Sequence, residues 1–272
     1  MATKKLGIYG ELISTANNKV EDLYVIVEAF AIHFLVKNTS KDSFVALESF
    51  EMNEQTDSYQ SLIAFLQNKS NLILSYYRRV RFVNNQSPIV LSKKTTSEDP
   101  SIYNAEMQLL FGNVIDQEVV SNAINDNTDI VYTIPNALQT LLTTMFPTGK
   151  WVHYVQYFIE KNTQAGVYVQ VFGNAALCII RDENNILLAK YIASTNASDI
   201  IYTIMQSTEQ MDLKLYDLQV VITGLDGHAE TILNQFAKYT SSIQFIPNSD
   251  ELVGSALKNE EAQQFYLSYL IF

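Results

Sequence analysis

The stretch Leu23-Tyr24-Val25-Ile26-Val27-Glu28-Ala29-Phe30-Ala31-Ile32-His33-Phe34-Leu35-Val36 holds two β-branched and aromatic runs with a very short junction. Such a junction suits an antiparallel hairpin. Working outward, Asp42 to Glu51 reads as a third strand, with Phe44, Ala46, Glu48 and Phe50 on one side. Thr56-Asp57-Ser58 is an N-cap cluster for a helix that carries Leu62, Ile63, Phe65, Leu66 and Ile73. Strands are expected at Arg79 to Val83 and Ile89 to Ser92. Thr96 to Pro100 opens a second helix with Tyr103, Met107, Leu110 and Phe111 on its apolar stripe. Asp129 to Ile134 is a strand ended by Pro135, and Ala137, Leu138, Leu141, Leu142 and Met145 mark a helix stopped at Pro147.

The second half runs the same way. Val167 to Phe172 is a strand turned by Gly173-Asn174, Leu177 to Arg181 pairs back on it, and Ile186 to Ile192 follows a second turn. Asn196 caps the next helix, with Asp199 in the capping-box position and Ile200, Ile201, Ile204, Met205 and Met211 as its apolar set. Leu218 to Ile222 is a strand ending at Thr223-Gly224, then a helix runs from about His228 to Tyr239 and a short strand from Ile243 to Ile246. Three hairpin-linked strands followed by crossover strands give a mixed sheet with helices on its faces. The expected architecture is thus two tandem α/β domains, 1–150 and 151–272, each with a mixed five-stranded sheet and a cleft between them. Gly149 to Gly166 reads as the connection, and Glu260 to Phe272 as a final docking helix.

Composition narrows the function classes. The 272 residues carry 18 Lys+Arg against 29 Asp+Glu, a formal charge of −11. That balance disfavours nucleic acid and anionic lipid, both of which are held mainly by Lys and Arg. The lone cysteine, Cys178, lies in an apolar run and excludes both an internal disulfide and a Cys-based zinc site. No stretch approaches the roughly 20 apolar residues of a membrane span. No apolar region follows Lys4-Lys5, so a cytoplasmic location is expected. The basic cluster Arg78-Arg79-Val80-Arg81 behind Tyr76-Tyr77 reads as a strand edge protected by charge, with an RNA-binding role as the minor reading.

The duplicated order resembles the plan of actin-like ATPases, which have two ribonuclease-H-like domains. Ile89 to Ser92, Tyr103, Val131 to Pro135, Phe146-Pro147 and His153 resemble an uncharacterised bacterial family of that fold. In the second half Ser198 to Tyr202, Glu209 to Met211 and Val221 to Gly224 resemble the same family. The resemblance implies where a nucleotide would bind. The first phosphate turn, Asp-x-Gly in the fold, is Glu28-Ala29-Phe30 here, with a bulky side chain in place of glycine. The second is Val171-Phe172-Gly173-Asn174, which keeps the glycine and lacks the aspartate. The adenosine turn is Thr223-Gly224-Leu225-Asp226-Gly227, with one glycine in place and one displaced. Hydrolysis needs metal, water and phosphate clamp together. The resemblance therefore implies a degenerate member that does not hydrolyse ATP, takes no cofactor, and binds a protein partner or itself. The alternative is a nucleotide switch or slow ATPase that binds ATP with magnesium through Glu28. Asp226, His228 and Glu230 read as a favourable helix start before a metal site.

Overall fold

The structure is a computed structural model that describes residues 2–10, 20–52, 59–86, 88–94, 101–172, 175–194, 196–224 and 226–245. The chain divides into two compact units, with the described residues up to Tyr154 in the first and from Val155 in the second.

In the first unit β1 (Thr3–Tyr9) precedes the predicted hairpin, β2 (Glu21–Glu28) and β3 (Ala31–Asn38), and the third strand β4 (Ser43–Glu51). Helix α1 (Tyr59–Lys69) leads to β5 (Arg79–Asn84). Then come β6 (Ile89–Lys93), α2 (Ser101–Phe111), β7 (Gln117–Ala123) and β8 (Thr128–Pro135). Helix α3 (Asn136–Met145) and β9 (Lys150–His153) close the unit. The main sheet has six strands in the order β1-β4-β3-β2-β5-β9, and β6-β8-β7 form a separate three-stranded sheet. The first three pairings are antiparallel; β2–β5 and β5–β9 are parallel. Leu23, Val25 and Val27 of β2 and Phe34 of β3 share a core with Leu62 and Leu66 of α1 and Leu138, Leu141 and Leu142 of α3. Alternate strand residues thus bury one sheet face under two helices.

The second unit opens with α4 (Tyr154–Lys161), whose first residue closes the first unit. Strands β10 (Gly166–Val171), β11 (Ala176–Arg181) and β12 (Ile186–Ile192) follow. Then come α5 (Ala197–Gln210), β13 (Val220–Gly224), α6 (Asp226–Phe236) and β14 (Ile243–Phe245). Its sheet order is β12-β11-β10-β13-β14, again antiparallel on the hairpin side and parallel beyond. Val167, Val169 and Val171 pack with Ile200, Ile201 and Ile204 of α5 and Ile232 and Phe236 of α6.

Without β1, the first sheet repeats the strand order of the second. The expectation of five strands per sheet holds for the second unit and fails in the first, because β1 adds to the outer edge of β4. The segment expected to connect the halves carries β9 and α4. Asp129 to Ile134 belongs to the small sheet rather than the main one. Helix α1 stops before Ile73, because the Ser70 hydroxyl accepts hydrogen bonds from the Leu72 and Ile73 amides and turns the chain. Asn196 caps α5 through Ser198 N–H, but Asp199 accepts from Ser194 Oγ instead of completing a capping box. Arg78-Arg79-Val80-Arg81 does not guard an edge, since β5 lies inside the sheet between β2 and β9. Arg78 makes a bidentate pair with Asp22 at 2.7 and 2.6 Å. The Thr56 to Ser58 cap, the Thr96 to Pro100 opening and the Glu260 to Phe272 helix lie outside the described residues.

Candidate functional site

In open α/β sheets, ligands sit beyond the carboxyl ends of parallel strands. In the first unit the register sets Val27 against Asn84, and Asn84 against His153, so β2, β5 and β9 end side by side. The ends carry polar groups. Glu28 Oε1 accepts from Asn85 Nδ2 at 3.0 Å, and Glu28 Oε2 lies 3.7 Å from His33 Nε2. His33 Nδ1 and Ser49 Oγ are hydrogen-bonded at 3.0 Å. Asn84 donates to the Thr133 carbonyl of β8 at 3.3 Å, which ties the small sheet to this strand end. The Tyr132 hydroxyl of β8 donates to Asn122 Oδ1 of β7 at 2.8 Å.

Ser49, His33 and Glu28 line up as a nucleophile, base and carboxylate would. Ser49 is fully buried in the sheet, however, and no substrate can approach it. His153 is also fully buried, against the ring of Tyr132 and 3.2 Å from the Gln86 carbonyl. Burial pushes its pKa from 6.5 down to about 3, opposed by the hydrogen bond to Gln86. His153 is thus neutral in the fold and protonates near 6.5 when unfolded. Between those values the unfolded state binds more protons, so stability falls as pH falls from 6.5 toward 3. The expected slope is about 1.4 kcal/mol per pH unit. Urea melts at pH 7.5, 6 and 5 should show it, and His153→Gln should flatten it.

The nucleotide positions can be tested on geometry. Neither Ala29 nor Phe30 has a positive φ, so this turn lacks the αR–αL alternation that aims successive N–H groups at an anion. Phe30 is 43% exposed, and its carbonyl accepts from Met52 N–H at 2.8 Å. Gly224 has φ +128°, and a Cβ there would lie 2.3 Å from the Val171 carbonyl oxygen. The space beside this glycine is filled by the neighbouring strand. Phe172 N–H bonds the Ala175 carbonyl as the hairpin closes, so Phe172, rather than Val171, holds the place of Glu28. Gly173 and Asn174 lie outside the described residues. Asp226 and Gly227 fall in the first turn of α6, and the side chains of Asp226, His228 and Glu230 are likewise not described. Of the described turns, Ala29-Phe30 forms no anion nest and the space beside Gly224 is filled. Among the described residues, no three His, Cys, Asp or Glu side chains gather as metal ligands.

Cys178 lies on the core face of β11, and burial raises its thiol to about 12. It is expected to resist a maleimide in the native chain and to react fully in 6 M guanidinium, read by mass spectrometry.

Sequence reasoning missed Asn84 and Asn85. Two asparagines directly after the buried strand residues Phe82-Val83 were the available signal.

Strand order and register define a mixed α/β protein, and its likeness to solved structures places it in the actin-like ATPase fold. The structure is similar to that of a Bacteroides thetaiotaomicron protein described as having an actin-like ATPase fold and unknown function. The TM-score is 0.75 at 16% identity, over 93% of this chain and 99% of that one. It is also similar to a chain of the PilM–PilN type IV pilus biogenesis complex, with a TM-score of 0.60 at 10% identity over 93% and 97% of the two chains. The family model for proteins of unknown function designated DUF3822 matches residues 11–243, and the chain belongs to that family. No curated protein gives a significant sequence match. Among the described residues no helix is long and apolar enough to cross a membrane.

Proposed function

We propose that the chain is a non-hydrolysing actin-like protein, built of two tandem ribonuclease-H-like domains, that binds a protein partner. The observation that carries this is on α2. Only Tyr103 and Met107 of that helix are buried, against Val131 of the small sheet. Leu110 and Phe111, expected on its buried stripe, are 56% and 49% exposed, and Leu109 and Ile115 are 84% and 72% exposed. Several large apolar side chains left exposed along one short stretch of chain are a mark of a protein contact. The hydrogen-bonded Glu28, the missing anion nest at Ala29-Phe30 and the filled space at Gly224 support the non-hydrolysing part. The likeness to a chain from the PilM–PilN complex supports a partner-binding part.

A photo-crosslinker at Leu109 in cells is expected to trap one defined protein. Leu110→Lys with Phe111→Lys should abolish that product. No product at Leu109 or Ile115 would reject the contact. Calorimetry with ATP, ADP or GTP and magnesium at millimolar concentration is expected to show no binding. Saturable binding lost in Glu28→Gln would instead support the nucleotide-switch reading.

A further inference from the structure

The two sheets can be aligned residue by residue through their registers. Val25 faces Phe34 across β2–β3, and Phe34 faces Glu48 across β3–β4. Val169 faces Cys178 across β10–β11, and Cys178 faces Lys190 across β11–β12. Both series stand at the same distance from their closing pairs, Glu28 with Ala31 and Phe172 with Ala175. Lys190 therefore holds the place of Glu48, with the opposite charge.

The surroundings of the two residues differ. Outside β4 lies β1, an antiparallel strand that delivers Lys4 Nζ to 2.7 Å from Glu48 Oε1. Outside β12 no strand lies among the described residues. Lys190 is exposed and pairs with no carboxylate among them. The edge of β1 is blunted by Lys4, Lys5 and a register shift between Lys4 and Leu6. On β12 the only irregularity lies at its start, where Ile180 pairs with Leu188 and Arg181 with Ile186. Leu188 to Ile192 is then a regular, mostly apolar run with one cation, and Leu188 and Ile192 reach the core.

We propose that the outer edge of β12, over Leu188 to Ile192, takes up an antiparallel extended segment of a protein partner carrying Asp or Glu opposite Lys190. Strand addition of this kind draws affinity from main-chain hydrogen bonds and selectivity from the facing side chains. The first unit shows an added strand in place: Gly7 stands directly opposite Glu48, and Lys4, opposite Phe50, reaches the carboxylate diagonally. A second copy fits poorly. Its β1 would bring Lys4 within diagonal reach of Lys190, placing two cations together, and β12 paired on itself over the same run would set Lys190 directly against Lys190; like charges so placed are destabilising. This edge belongs to the second unit and α2 to the first, and the proposal does not depend on how the chain treats nucleotide.

The test uses the full chain and two fluorescein-labelled heptapeptides of alternating Val and Thr, one with Glu and one with Lys at the centre. Fluorescence anisotropy is expected to show saturable binding of the Glu peptide and roughly tenfold weaker binding of the Lys peptide. In Lys190→Glu, an exposed position whose folding is checked by a thermal melt, the preference should reverse. Hydrogen exchange of the Leu188 to Ile192 amides should slow when the Glu peptide binds. Absence of saturable binding, equal binding of both peptides, or a preference unchanged by Lys190→Glu would overturn the proposal. Protection of those amides by raised protein concentration alone would overturn it in favour of a second copy.

Discussion

Gly224→Ala should destabilise the second unit by about 3 kcal/mol, without any change in ligand chemistry. Two causes add. The backbone sits at φ +128°, where only glycine is unstrained, and an added Cβ would meet the Val171 carbonyl oxygen at 2.3 Å and the Val171 nitrogen at 2.8 Å. These are backbone atoms of the paired strand β10, so no side chain can move aside. The expected reading is a melting temperature lower by roughly 10 °C, with an unchanged slope in urea. A native melting curve for Gly224→Ala would show that β13 can leave its register at little cost. The result also bears on the resemblance. A glycine at this turn looks like part of an adenosine site, yet the contact with Val171 requires glycine whether or not a nucleotide binds. Loss of any activity in a Gly224 variant would therefore report on folding first.

The second large effect is expected at Glu48. Its side chain is fully buried on the helix-covered face of the first sheet. Its carboxylate accepts from Lys4 Nζ, the Tyr9 hydroxyl, the Ser70 hydroxyl and the Asn71 amide, the last at 2.9 Å. A buried charge is tolerated when its lone pairs are all engaged. Glu48→Ala strands four donors, of which Ser70 is buried, and should cost about 3 kcal/mol. Glu48→Gln keeps an acceptor oxygen and should cost about half as much. Lys4 is partly exposed and retains water when its partner is lost, which holds the cost at the low end for a broken buried pair. Chemical denaturation of both variants checks the ranking; equal losses would mean that the lost carboxylate charge, which both variants share, sets the cost rather than the stranded donors or the cavity.

Sequence periodicity carried the hairpin strands, the crossovers and the helix pair of each unit, because these elements bury alternate or stripe-wise apolar residues. Three strands escaped for physical reasons. β1 carries two adjacent lysines, Lys4 and Lys5, which break a two-residue apolar period, and is held by Glu48, a partner far along the chain. β7 is an edge strand, Gln117 to Ala123, and most of its surface faces solvent. β9 has four residues, too few to show a period. At the candidate site, Glu28 was legible because it ends an apolar run. Its engagement by Asn85 and its nearness to His33 depend on which strands become neighbours, and one sequence does not display that. The α2 stripe misled because helical spacing marks a face but does not say whether anything covers it.

The strand order also fixes when the main sheet of the first unit can be closed during synthesis. β2 pairs with β5, and β5 pairs with β9 only through contacts such as Arg81 with Lys150. The whole stretch from β6 through α3 must leave the ribosome before the last strand can close the sheet. Such long-range parallel pairing slows folding. Until then the side of β5 that β9 will cover remains an open template. In the second unit the corresponding outer parallel pair, β13 and β14, is joined through α6 alone, so its last strand follows at a much shorter sequence separation. A nascent chain stalled before Lys150 is thus the vulnerable species, the one a chaperone would have to shield.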